Sequence, residues 1–163
     1  APTAISTAYT CVTVPVNIAR TGGEAVRGYS VKFTMSPNLI LCSGTASITE
    51  GTYLNSAATT SFHVTDNGGG TYTVDDVILG AGCGPTALTG LLFNVAVMSM
   101  EPSGSGTITI NTVKLRNCSN VSLFAQPGDP PVIQIDNTLP SVLVMAPNDG
   151  TEVFTIGATH AIT

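Results

Sequence analysis

Short runs in which apolar and polar residues alternate constrain this chain more than any other feature of its sequence. In CVTVPVNIA the apolar set is Val12, Val14, Val16 and Ile18, and in YSVKFTM it recurs at alternate residues from Tyr29 to Met35. Two later runs, LLFNVAVMSM and TITINTVKL, place further residues on the predicted core side: Leu91, Phe93, Val95, Val97, Ile108 and Ile110. No window shows a capped 3.6-residue period, so no helix is predicted. The pattern predicts an all-β fold, an antiparallel β-sandwich or jelly roll.

Turn residues separate these strands. Asp66-Asn67-Gly68-Gly69-Gly70 lies between two alternating runs and predicts a hairpin, because Asn-Gly supplies the positive φ angles of tight turns. Pro15 lacks an N–H donor, so its strand must lie at a sheet edge or carry a bulge. Gly104-Ser105-Gly106 lacks the spacing of a hydrolase nucleophile elbow and is interpreted as a turn.

Composition excludes several classes of function. The chain has 163 residues, 43% hydrophobic and only 9% charged, and carries a net charge of −5. With no run of Lys and Arg, binding to nucleic acid or anionic membranes is not expected. No apolar run reaches the roughly 18 residues of a membrane span. The start, APTAIS, is typical of a mature terminus after signal cleavage, although a trimmed chain would look the same.

The cysteines indicate the compartment. Cys11, Cys42, Cys83 and Cys118 are widely spaced, and neither CxxC nor CxxCH is present. Zinc-knuckle and haem-attachment motifs are therefore excluded. An even number of cysteines favours two disulfides over four buried thiols, with three connectivities open, and an extracellular or cell-surface location.

No residue pattern indicates catalysis, and the chain is predicted not to be an enzyme. His63 lies on the opposite strand face from Phe62 and Val64, and His160 has no carboxylate close in sequence, so both are interpreted as surface residues. The acidic residues are scattered, and the adjacent Asp75 and Asp76 should point to opposite faces of a strand. No cofactor is predicted.

Oxygen ligands for calcium are the one metal-site candidate. Asp66 and Asn67 in the hairpin turn, or Asp129 in a later loop, could bind this ion. No EF-hand spacing is present, and turn formation is the favoured interpretation of these residues.

Two further surface features bear on an extracellular role. Asn117-Cys118-Ser119 and Asn120-Val121-Ser122 are adjacent sequons, which makes Asn117 and Asn120 glycosylation candidates. The chain has no Trp, and its four Tyr residues do not cluster in sequence, so stacking of sugars on an aromatic platform is disfavoured.

A change in composition marks a domain boundary. VIQID reads as a closing strand and Asn137–Pro140 as a linker. We therefore predict a sandwich domain over residues 1–136 and a strand-forming extension over residues 137–163.

The strand pattern resembles that of cohesin domains and related β-sandwich carbohydrate-binding modules. The similarity is carried by V-x-V-P-V at Val12–Val16, the loop Thr21–Gly28, the strand Tyr29–Met35, the Pro-Asn-Leu turn and the closing PVIQI. It spans roughly Thr10–Asp136. The resemblance implies a non-catalytic module from a bacterial extracellular protein that acts through protein–protein contacts or binds a polysaccharide.

The extension has its own resemblance, to the start of bacterial Ig-like modules, which open with a Pro-Asn-Gly-Gly-Glu turn. Cohesin-like sandwiches usually have a strand before V-x-V-P-V, and the nine residues APTAISTAY look too short for one. We therefore hypothesise that tail strands fill this gap in the same or a neighbouring subunit and so build a filament or other homo-oligomer. The donated residues would be Val142, Val144, Val153, Phe154 and Ile156. The alternative is a cohesin-like or carbohydrate-binding module of a larger multidomain surface protein.

Overall fold

The computed structural model describes residues 4–80 and 82–139. Within them the chain forms strands and one short helix, in this order: β1 (Ala4–Ser6), β2 (Val12–Ala19), β3 (Val26–Met35), β4 (Ile40–Thr45), β5 (Ile48–Glu50), α1 (Thr52–Asn55), β6 (Thr60–Gly68), β7 (Thr71–Ile78), β8 (Thr89–Met98), β9 (Ser103–Asn117), β10 (Ser122–Leu123) and β11 (Val132–Asp136).

Two sheets face each other. The large sheet has the order β1-β11-β9-β3-β7-β6, with β10 added beside β9. The small sheet has the order β2-β8-β4, and β5 also pairs with β8. Every pairing is antiparallel except that of β1 with β11. The predicted all-β sandwich is confirmed.

Alternation places the core as predicted. The inward residues of β3 are all buried, and Phe33 at its centre is fully buried against Phe93 of β8, with ring centroids 6.0 Å apart. The β6–β7 hairpin also forms where the glycines indicated, and Gly68, Gly69 and Gly70 all have positive φ.

One predicted core position is wrong. Leu92 is buried, whereas Leu91 is only half-buried and, unlike the half-buried Val16 and Ile110, is not packed against the core. The reason is a register shift between Val16 and Asn17, which turns one residue of β8 to the other side. Among the described residues, the same strand, β2, pairs with β8 alone and so forms a sheet edge, which confirms the placement of Pro15.

Two local expectations are also corrected. A four-residue helix, α1, follows Gly51, where an added Cβ would lie 2.3 Å from the carbonyl oxygen of Leu91. Such a single turn is too short to leave a 3.6-residue pattern. Gly104-Ser105-Gly106 belongs to β9 and pairs with β11, so it is not a turn. Gly106 is needed there because a Cβ would lie 2.5 Å from Cγ of buried Leu39.

A strand does precede β2, contrary to expectation. Ala4–Ser6 pairs in parallel with Gln134–Asp136, and the Ile5 side chain is fully buried. Two backbone hydrogen bonds of 3.0 Å between Ser6 and Tyr9 close a tight turn immediately after β1. Three residues and one turn are therefore enough to complete this edge.

All four cysteines form disulfides, as predicted. Cys11–Cys42 links the segment before β2 to β4, and Cys83–Cys118 links the β7–β8 loop to the turn after β9. After β11, the Asn137 side chain donates hydrogen bonds to the carbonyl oxygens of Ser99 (3.0 Å) and Glu101 (2.8 Å). Asn137 is therefore attached to the sandwich, and the boundary after Asp136 stays a prediction.

Candidate functional site

The outer face of the large sheet presents rungs of side chains across four neighbouring strands, β6, β7, β3 and β9. One rung contains, in that order, His63, Asp75, Ser30 and Lys114. The next contains Thr65, Thr73, Lys32 and Thr112. We call the outward residues of these four strands the ladder face.

The ladder face concentrates the positive charge of the chain. Four of the five Lys and Arg residues lie on it or at its end: Arg27, Lys32, Lys114 and Arg116. Lys32, Lys114 and Arg116 are exposed. Sequence reasoning found no basic run because the fold, not the sequence, assembles the cluster. The detectable signal was the cations at the polar positions of the alternating runs YSVKFTM and TVKLR.

A groove of about 500 Å³ lies at one end of this face. Arg27, Lys114 and Arg116 contribute cations to its lining, and Asp75 contributes a carboxylate. Gly28 lies between Val77 and Arg116 in the ladder, and a Cβ there would lie 3.0 Å from the backbone oxygen of Asp76. The missing side chain keeps this part of the groove open.

Arg27 and the second disulfide hold the end of the groove in place. The Arg27 guanidinium donates to the carbonyl oxygen of Gly80 and, at 3.5 Å, to that of Cys118. It therefore bridges the two segments that Cys83–Cys118 joins covalently. Arg116 donates through Nη1 to the carbonyl oxygen of Asn120 at 2.9 Å. Arg27 and Arg116 are thus held in position by backbone acceptors.

Both glycosylation candidates line this groove. Asn117 Oδ1 accepts hydrogen bonds from the backbone N–H groups of Ser119 (3.0 Å) and Val121 (2.9 Å). Asn120 is exposed and has a positive φ of 59°. Asn117 ends β9 and Asn120 lies in the turn that follows it, before β10, and the Asn120 side chain is the more accessible one.

A second cleft, of about 510 Å³, opens between the two sheets. Its lining is mainly apolar and includes Ile18, Val31 and Leu92 of the core. Arg20, also in the lining, donates to the hydroxyl of Tyr53 at 3.0 Å and to the carbonyl oxygen of Gly22 at 2.7 Å. Its donors are therefore engaged within the chain.

The fold also buries the carboxyl group of Asp76, a residue for which the sequence predicted no functional role. Asp76 is 3% exposed and points inward from β7, while Asp75 points outward, so the two lie on opposite faces as predicted. Burial, and then the charge of Glu50, raise the pKa of Asp76 to about 7. Asp76 Oδ1 has no hydrogen-bond partner within the described part of the chain. Burial and the charge of Asp76 also raise the pKa of Tyr29, whose hydroxyl donates to the carbonyl oxygen of Leu92 at 2.8 Å.

The remaining predicted site residues stay apart. His63 is exposed, as expected. Asp66 Oδ1 accepts the backbone N–H of Gly68 at 2.8 Å, and Asn67 donates to Thr73 Oγ1 at 2.9 Å, so both serve the hairpin turn. Asp129 lies in the β10–β11 loop, and no group of three or more metal-ligating residues occurs among residues 4–80 and 82–139.

Of the four tyrosines, Tyr29 and Tyr53 are buried and Tyr72 is half-buried, while Tyr9 is exposed. The one helix of the described residues has four residues and is too short to cross a membrane. His160 and the proposed donor residues fall outside the described residues: Val142, Val144, Val153, Phe154 and Ile156.

Solved structures of cohesins have an architecture similar to that of this chain. The chain superposes on a type I cohesin from Pseudobacteroides cellulosolvens with a TM-score of 0.64 at 12% identity, covering 88% of this chain and 93% of that one. The fold is cohesin-like. A cohesin from Acetivibrio cellulolyticus, crystallised with a dockerin, gives a TM-score of 0.63 at 12% identity over 82% and 94% of the two chains.

The cohesin-like fold extends to a relative outside cellulosomes. A non-cellulosomal cohesin from the archaeon Archaeoglobus fulgidus matches with a TM-score of 0.58 at 15% identity, over 77% of this chain and 80% of that one. The sequence matches no family model and no curated protein. The likeness therefore establishes the fold, and the function has to be argued from the surface.

Proposed function

We propose that this cohesin-like chain is a non-enzymatic protein-interaction module that docks a partner through the ladder face. The observation that carries the proposal is the gathering of four of the five Lys and Arg residues on the ladder face or at its end, in a chain with a net charge of −5. A partner can use such a face for steering and orientation. Similar structures crystallised as cohesin–dockerin complexes support a docking role for this fold.

Site-specific photocrosslinking tests this proposal. A photoreactive phenylalanine analogue replaces Thr112, exposed on the ladder face, or Thr13, exposed on the small sheet. Each variant is irradiated with the extracellular fraction of the organism that produces the protein. We expect one defined adduct from position 112 and none from position 13. Equal labelling from both positions, or an adduct from position 13 alone, would contradict docking through the ladder face.

Self-assembly by strand donation is a second, separate proposal. A missing strand before β2 does not support this proposal, because β1 occupies that place. What supports it now is the edge strand β6, which spans nine residues and contains no proline. We expect residues 140–163 to promote association. Sedimentation of the full chain beside a chain ending at Leu139 tests this, and a full chain that stays monomeric at high concentration refutes it.

The proposed location is outside the cell or at its surface. Two disulfides support an oxidising compartment. If the producing organism glycosylates sequons, we expect Asn120 to be modified before Asn117, whose amide oxygen is engaged in the turn. Intact-mass and peptide analysis of the natural protein would show both the disulfides and any glycan, and reduced cysteines would argue against export.

A further inference from the structure

Three cations of the ladder face, Lys32, Lys114 and Arg116, are brought together by the pairing of β3 with β9. Lys114 and Arg116 are two residues apart on β9, so both side chains leave the same face about 6.5 Å apart. Lys32 on β3 pairs with Thr112, and Lys114 pairs with Ser30. Lys32 and Lys114 are thus diagonal neighbours, which are about 7–8 Å apart. The result is a row of three exposed cations at nearly even spacing along the β3–β9 seam.

These two spacings are close to the distance between alternate side chains of an extended polypeptide. In a strand, every second side chain points the same way and successive ones are about 6.5 Å apart. An extended segment lying over the seam would therefore present one side chain to each cation if acidic residues occupied alternate positions.

Neighbouring residues limit where such a segment can lie. Asp75 stands on the β7 side of Ser30, opposite Lys114, and would repel a carboxylate placed over β7. Ser30, Thr112 and Thr73 offer uncharged hydroxyl groups beside the row. Arg116 is held toward the groove by its bond to Asn120 at 2.9 Å. The favourable path runs over β3 and β9 and ends in the groove.

We infer that the ladder face recognises an extended polypeptide segment with acidic residues at alternate positions, bound along Lys32, Lys114 and Arg116. This inference rests on the proposed docking function and names the chemistry of the partner at that site. It requires neither a metal ion nor residues after Leu139.

Fluorescence polarisation with a defined peptide tests the inference. The probe is a labelled peptide of alternating Glu and Ser. The control peptide has the same number of Glu residues, each separated by two Ser. We expect the alternating peptide to bind the full chain more tightly and its affinity to fall as salt rises toward about 0.15 M. Equal affinity for the two peptides would overturn the alternate-position requirement.

Charge-matched variants separate the row from the overall charge. Lys32→Gln and Lys114→Gln should each weaken binding about two- to fivefold, the range of exposed ion pairs. Thr13→Glu changes the net charge equally on the other sheet and should have little effect. Asp75→Asn should tighten binding, whereas Glu101→Gln, remote from the seam, should not. An equal loss in the Thr13 variant, or none in the lysine variants, would overturn the inference.

Two further outcomes locate a failure. If neither peptide binds but dextran sulfate does, the face takes sulfated polymers, and recognition of an acidic polypeptide is refuted. If the crosslink at position 112 persists unchanged in a Lys32→Gln/Lys114→Gln chain, docking stands and the acidic-segment inference fails. If no crosslink forms at position 112 in the unaltered chain, the proposed function itself fails.

Discussion

Replacing Asp76 with asparagine should stabilise the protein at neutral and basic pH but not in acid. Burial between the sheets, and then the charge of Glu50, raise the pKa of Asp76 from 3.8 to about 7, against smaller opposing effects of the Val77 backbone and Tyr29. At about 1.4 kcal/mol for each pKa unit, ionising Asp76 in the folded chain costs up to about 4 kcal/mol more than in the unfolded chain. Asparagine has nearly the same size and carries no charge.

The sign of the pH dependence follows from proton binding. Between pH 3.8 and about 7 the folded protein holds a proton on Asp76 that the unfolded chain releases. The free energy of unfolding therefore falls as pH rises through this window, and the contribution is lost above it. Below pH 3.8 both states are protonated and the two variants should be nearly equal.

Urea unfolding at pH 4, 5, 6, 7 and about 8, followed by circular dichroism, measures this dependence. We expect Asp76→Asn to gain up to about 4 kcal/mol over the unaltered protein at the highest pH and close to nothing at the lowest. Asp75→Asn is the matched control, because Asp75 lies on the same strand but points outward. It should change stability by less than about 0.5 kcal/mol. A stability profile of Asp76→Asn parallel to that of the unaltered protein would refute the reasoning.

Two further predictions concern a closely packed glycine and a disulfide. Gly84→Ala should destabilise the fold by about 3 kcal/mol, because the new Cβ would lie 1.7 Å from the carbonyl oxygen of Val26. Gly22→Ala is the control and should be nearly neutral, because the space around Gly22 is open. Equal thermal midpoints for the two variants would argue against a close contact at Gly84. Replacing both Cys83 and Cys118 with Ala should lower the free energy of unfolding by about 4 kcal/mol, because the disulfide closes a loop with a sequence separation of 35. An unchanged urea midpoint would contradict this and would show that the Arg27 hydrogen bonds suffice to hold the two segments together.

Sequence periodicity predicted most of the sandwich because each face of a strand meets one environment. Val12, Val31 and Phe33 lie where alternation placed them. The prediction fails where a local irregularity shifts the alternation of inward and outward residues by one position. The bulge in β8, which buries Leu92 instead of Leu91, is an example. The parallel pairing of β1 with β11 joins residues 130 positions apart and depends on a contact that no local pattern encodes.

The candidate site was less predictable than the fold. Lys32 and Lys114 are far apart in sequence and become diagonal neighbours only through the register of β3 with β9. Asp76 could be assigned to the opposite face from Asp75, but which of the two would be buried depends on which side of β7 meets the small sheet. Residue type and spacing predict which side chains share one face of a strand, whereas the strand order decides what that face packs against.

The parallel pairing of β1 with β11 has a mechanical consequence. Ala4 lies beside Gln134 at one end of the pair, and Asp136 lies beside Ser6 at the other. Tension applied between Ala4 and Asp136 therefore pulls the two strands past each other lengthwise, and their hydrogen bonds share the load instead of breaking one at a time. If force is applied through these two residues, the domain would resist it by shearing of the β1–β11 pairing, which involves only three residues of β1.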